Sequence, residues 1–132
     1  IKSANGLSEL AHPDIYIHIN LLKQFDNDIH TARDKIIGPL MWLCKKNGID
    51  GIEVVYPYHK KLFHRDPSLT EKIRINLDDT IRFYREFCNR YNIYRFGGSD
   101  FHDPSKDKMG EFGLTEEEFY SIPEFRKYKP KR

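Results

Sequence analysis

Two rhythms of apolar residues alternate along this chain, one with a period near two and one with spacings of three and four. A short segment from Leu7 to Ala11, bounded by Gly6 and by His12-Pro13, has the length of a β-strand, and proline ends its ladder. After a polar, aromatic-rich connection from Asp14 to Asp28, Ile36, Ile37, Leu40, Met41, Leu43 and Cys44 follow at helical spacing. Thr31-Ala32-Arg33-Asp34 is a capping-box pattern expected to open that helix, and Pro39 should kink it or mark its real start. Lys45, Lys46 and Gly48 supply a cationic last turn and a glycine stop.

Ile49 to Tyr56 is β-branched and aromatic and predicts a second strand ending at Pro57. Ser68-Leu69-Thr70-Glu71 opens another helix, on which Ile73, Leu77, Ile81, Tyr84, Cys88 and Tyr91 form one face, with Asn92 placed to close it. Ile93 to Phe96 predicts a third strand that runs into Gly97-Gly98-Ser99-Asp100-Phe101-His102, and Thr115 to Tyr120 a short capped helix. The order strand, helix, strand, helix, strand, with long crossovers, predicts an α/β fold with parallel strands.

Composition narrows the picture only a little. A chain of 132 residues suits one domain, and a net charge of +2 spread over interspersed acids and bases implies no strong field toward nucleic acid or membrane. No apolar run has membrane-spanning length, which together with the absence of a signal-peptide pattern predicts a cytoplasmic chain with no membrane partner. Cys44 and Cys88 fall on apolar helical faces and read as core thiols.

The chemistry collects at strand ends. In parallel α/β sheets ligands bind beyond the carboxyl ends of the strands, and these strands end at His12, at His59, and at Asp100 with His102. Asp100 and His102 are two apart, so an extended backbone puts both side chains on one face, and imidazole with carboxylate suits manganese, iron or zinc. Gly97 and Gly98 allow close backbone approach to a ligand. Taken singly, each is ordinary: a strand-end histidine, a loop histidine, a surface Asp-x-His pair and a glycine turn all occur without function. Their convergence on one rim is the signal.

Several of these motifs, Ala4-Asn5-Gly6, Leu10-Ala11-His12-Pro13, Gly48-Ile49-Asp50-Gly51-Ile52-Glu53-Val54, Tyr56-Pro57-Tyr58-His59 and Gly97 to His102, with Lys106 and Gly110, stand in an order that resembles the C-terminal half of the PHP (polymerase and histidinol phosphatase) family. Within that family the likeness is greatest to stand-alone nucleotide phosphoesterases. The resemblance implies that residues 1–113 are the C-terminal part of a distorted (β/α)7 barrel holding two or three divalent metal ions (Mn, Zn or Fe), with 114–132 a short helix and basic tail. By position, His12, Asp100 and His102 would be metal ligands, and His59, Ser99 and Lys106 would face the phosphate of a phosphorylated small molecule, nucleotide or short RNA. The catalytic group itself is not assigned.

The family's opening His-x-His strand would precede His12, and His18, His30 and His64 lack the spacing to replace it. The expectation is therefore a chain whose site is completed by an N-terminal half in cis or by a complementing chain. The strand before His12 departs from the family in carrying Ser8 and Glu9, and the segment from Lys60 to Pro67 is long and basic. A different class of function remains open: a non-catalytic module binding a partner or nucleic acid through the basic, aromatic end from Phe125 to Arg132.

Overall fold

A computed structural model describes residues 6–17, 22–25, 28–58, 77–100, 102, 104–105 and 108–130. Its centre is β2 (Gly51–Val55), with β1 (Glu9–Leu10) on one side and β3 (Tyr94–Gly97) on the other, both parallel to it. Among the described residues, the predicted α/β organisation with parallel strands is therefore present as a three-stranded open sheet. All five residues of β2 are buried, as expected of a central parallel strand covered on both faces. Ile52 and Val54 enter the main core with Ala32, Ile36, Leu40, Phe87 and Cys88, each such aliphatic side chain contributing about 1.5–3 kcal/mol by leaving water. Gly51 is needed at its position because a Cβ there would lie 2.3 Å from Cε2 of Phe96 and 2.7 Å from the Tyr94 carbonyl.

β1 is shorter than the expected strand because Ser8 is held by side-chain bonds. The Ser8 N–H and Oγ–H both donate to Oδ2 of Asp50, at 2.9 and 2.8 Å, while the Ser8 carbonyl accepts from the amides of Asp50 and Gly51. The connection read as polar contains a short helix, α1 (Pro13–Tyr16), and a 3-10 turn (Leu22–Phe25).

Helix α2 (Ile29–Met41) begins before the expected capping box. Asp28 is its N-cap, accepting from the His30 amide at 3.0 Å and from the Thr31 hydroxyl at 2.7 Å, so Thr31 supports a carboxylate cap instead of capping the helix itself. Pro39 lies inside α2, and the helix continues through it into a π turn (Trp42–Lys46) before Gly48, at φ 69°, reverses the chain.

Helix α3 (Leu77–Tyr91) lays Thr80, Tyr84, Phe87 and Cys88 on the core, and Asn92, at φ 52°, closes it in the left-handed conformation as its side-chain type allows. The capping box at Ser68 lies outside the described residues. Cys44 and Cys88 are free and buried, and burial pushes the Cys88 thiol up to about 12. Helix α4 (Glu116–Ser121) carries a complete capping box between Thr115 and Glu118. Glu118 also accepts two hydrogen bonds from the Arg85 guanidinium, fastening α4 to α3. The chain then turns through a 3-10 helix (Pro123–Tyr128), where Phe125 stacks on Phe119 at 4.6 Å and meets Phe96 of β3 edge-on. That end of the chain is packed, at least to Phe125. Among the described residues no helix is long and apolar enough to cross a membrane.

Candidate functional site

His12 and Asp100 leave the two strands that flank β2, and both adopt an unusual backbone. His12 has φ 32° and Asp100 φ 48°, in the left-handed region that costs a non-glycine residue energy unless its surroundings impose it. Among the described non-glycine residues only the helix-closing Asn92 joins them there. At the exit from β3, a register irregularity opposite Glu53 and Val55 helps redirect the chain toward Asp100, and the Gly98 amide donates to the Val55 carbonyl at 3.0 Å.

Tyr56, just past the end of β2, joins the two. Its ring stacks on the His12 imidazole, centroids 4.9 Å apart and planes 11° from parallel, and its hydroxyl donates to Oδ2 of Asp100 at 2.8 Å. His102 leans on the same aspartate, with Nδ1 2.8 Å from the Asp100 carbonyl and 3.4 Å from Oδ1. The predicted trio His12, Asp100 and His102 thus lies at the carboxyl end of the sheet, and the imidazole of His102 is largely in solvent.

Ser99 is adjacent but engaged elsewhere. Its hydroxyl donates to the Phe112 carbonyl and accepts from the Phe112 amide, both at 3.2 Å, tying the exit of β3 to the segment before α4. While that bond stands, the hydroxyl proton is not available to a phosphate oxygen. His59 and Lys106 lie outside the described residues. His30 sits at the start of α2, with its amide bonded to Asp28.

Two groups at this end had no role assigned from the sequence. One is Tyr56. The other is Glu53, in the middle of β2: the His12 N–H donates to its Oε2 at 2.9 Å, and His12 Nδ1 stands 3.5 Å from the same oxygen. Burial raises the Glu53 carboxyl to about 7, against the His12 amide bond, which favours the anion; the neighbouring Glu9 and Asp100 carboxylates push it further up. Burial also raises Glu9. An acid inside an otherwise apolar parallel strand, Ile52-Glu53-Val54-Val55, was the available signal, because such a position is normally aliphatic.

Behind this end lies a second polar cluster, fully enclosed. Asp14, two residues after His12, receives Nε and Nη2 of Arg33 from α2 at 3.2 and 2.9 Å. Thr80 and Tyr84 of α3 donate to the same carboxylate at 3.3 and 3.1 Å. Tyr58 links the two clusters: its hydroxyl donates to the Glu53 carbonyl at 2.9 Å and its ring stacks on Tyr84 at 6.4 Å.

Imidazole and carboxylate donors at the carboxyl end of the sheet fit a divalent transition metal in kind. Among the described residues, however, no three His, Cys, Asp or Glu side chains are placed to hold one ion together. Clefts elsewhere on the described surface are separate features: one is lined by Glu9, Phe96, Phe119 and Phe125, another by Ile37, Phe83, Phe87 and Arg90, and neither by the predicted trio. Comparison with known proteins adds no identity, since no family model, curated protein or solved structure matches the chain.

Proposed function

We propose that this chain carries part of a metal-dependent phosphoesterase site of the PHP type, with the three parallel strands belonging to such a barrel. The single observation that carries the reading is the Tyr56 bridge: one side chain stacks on His12 and bonds Asp100, which come from different strands and both hold a left-handed backbone. Local strain held in place by surrounding contacts is a mark of functional positions. The carboxylates of Glu9, Glu53 and Asp100 interact electrostatically around this end of the sheet, which favours a cation there.

In this reading His12, Asp100 and His102 hold the ion or ions, and further donors complete the shell. The metal, when bound, supplies Lewis acidity and an activated water for in-line attack on a phosphate ester. Tyr56 orients the Asp100 carboxylate by its hydrogen bond, and the Asp100 carbonyl fixes the His102 ring through Nδ1. The substrate class is a nucleotide or other phosphorylated small molecule, with a short RNA included.

The deciding experiment measures metal content and phosphoesterase turnover in the full protein and in Asp100→Ala. The expected result is loss of bound metal with a fall in turnover of at least about 100-fold, comparable to the removal of a strong electrostatic contributor. Undiminished metal and turnover in the variant would overturn the proposal.

A further inference from the structure

The segment His12-Pro13-Asp14 is gripped at both ends, and the left-handed residue lies at the first grip. On one side the Asp14 carboxylate is held by Arg33, Thr80 and Tyr84 of two different helices. On the other the His12 N–H is held by Glu53, whose side chain is itself 11% exposed and rises from the central strand. Pro13 contributes a fixed φ between them.

Three further contacts limit where the imidazole can go. Its face lies on Tyr56, its Nδ1 stands by the Glu53 carboxylate, and the His12 carbonyl accepts from Ile15 at 3.2 Å as α1 begins. The backbone φ of 32° is disfavoured in isolation, so it persists because these bonds impose it. The His12 amide bond to Glu53 is charge-assisted when the carboxyl is ionised, and such bonds are about twice as strong as neutral ones.

We infer that Glu53 is a positioning residue for His12: by accepting its backbone N–H from the floor of the sheet, it fixes the left-handed turn that presents the imidazole at the strand end. Glu53 acts through His12 and need not touch substrate. This rests on the proposed metal role of His12, and the experiment separates the two.

The variants are Glu53→Gln, which keeps a carbonyl acceptor, Glu53→Leu, which has none, Glu53→Asp, which keeps the charge but is one methylene too short, and His12→Ala. Two readouts are taken on the full protein. The first is the three-bond HN–Hα coupling and Cα chemical shift of residue 12, which report its φ without any metal. The second is manganese and zinc affinity by calorimetry.

Glu53→Leu and Glu53→Asp are expected to move the residue 12 signals out of the left-handed range and to weaken metal affinity about 10- to 100-fold. Glu53→Gln is expected to retain the signals and most of the affinity. If Glu53→Leu does not fold, Glu53→Asp carries the test. Unchanged residue 12 signals in Glu53→Asp and in any folded Glu53→Leu would overturn the positioning role. Undiminished affinity in His12→Ala would instead overturn the metal reading of His12, while the backbone signals still decide the role of Glu53.

Discussion

Two charged clusters, one around Asp14 and one around Asp100, are joined through the short His12–Asp14 segment and behave as opposites. Around Asp14 the partners are internal: Arg33 is 5% exposed, Thr80 and Tyr84 are fully enclosed, and the carboxylate accepts from each of them. Around Asp100 the groups reach the surface, with a quarter of the side chain exposed and three quarters of His102. The first arrangement suits stability, because a buried ion pair tolerates no missing partner. The second suits a ligand, because its donors are braced from behind and open in front. The difference shows why polarity alone does not mark a site.

The largest expected effect comes from breaking the closed cluster. Arg33→Met leaves the Asp14 carboxylate buried without its cation and should cost about 3–5 kcal/mol of folding stability. Asp100→Asn at the open end should cost less than about 1 kcal/mol, since a surface pair contributes little and Asn tolerates the left-handed backbone. Urea denaturation of both variants measures the contrast, and equal losses would erase it.

A smaller effect is expected from pH. The Glu53 carboxyl sits at about 7 when folded, above its unfolded value, so the folded state holds the extra proton. Its contribution is present at low pH and is lost as pH rises from about 4.3, the unfolded carboxyl value, toward 7. In metal-free protein, thermal melts across that window should show wild type losing stability relative to Glu53→Gln. A parallel pair of curves would mean that Glu53 titrates as it does in water.

The smallest concerns Tyr56. Removing its hydroxyl in Tyr56→Phe deletes one hydrogen bond to Asp100 and keeps the stacking on His12, so stability should fall by about 0.5–1.5 kcal/mol. Metal affinity should weaken as well, by up to about 10-fold. A drop in stability with no change in affinity would place Tyr56 with the closed cluster instead.

Much of the architecture was legible because it follows from local rules. The apolar run at β2, the helical spacing of Tyr84 and Cys88 and the left-handed closure at Asn92 are written in neighbouring residues. The failures are contests between neighbours that only geometry decides. Asp28 displaced Thr31 as the cap of α2, and the Ser8–Asp50 bonds cut β1 to two residues.

The convergence of His12, Asp100 and His102 on one end of the sheet could be foreseen from strand-end placement. Their supports could not. Arg33 meets an aspartate 19 residues away and a threonine 47 away, and no local pattern encodes that meeting. Glu53 differed in being visible, as a charge set among aliphatic residues, although what it would hold was not.

As a strand, β1 pairs with β2 through Glu9 opposite Gly51 and Leu10 opposite Ile52, whereas β3 follows β2 along nearly its whole length. The two chain closures are of nearly equal length, so their entropic costs are alike and the pairing gained decides which forms first. During folding β2, α3 and β3 would condense as a unit, and the limb bearing His12 would dock onto it afterwards. On that order His12, whose left-handed backbone is imposed by bonds from β2, would take up its conformation late, once the rest of the molecule exists to hold it.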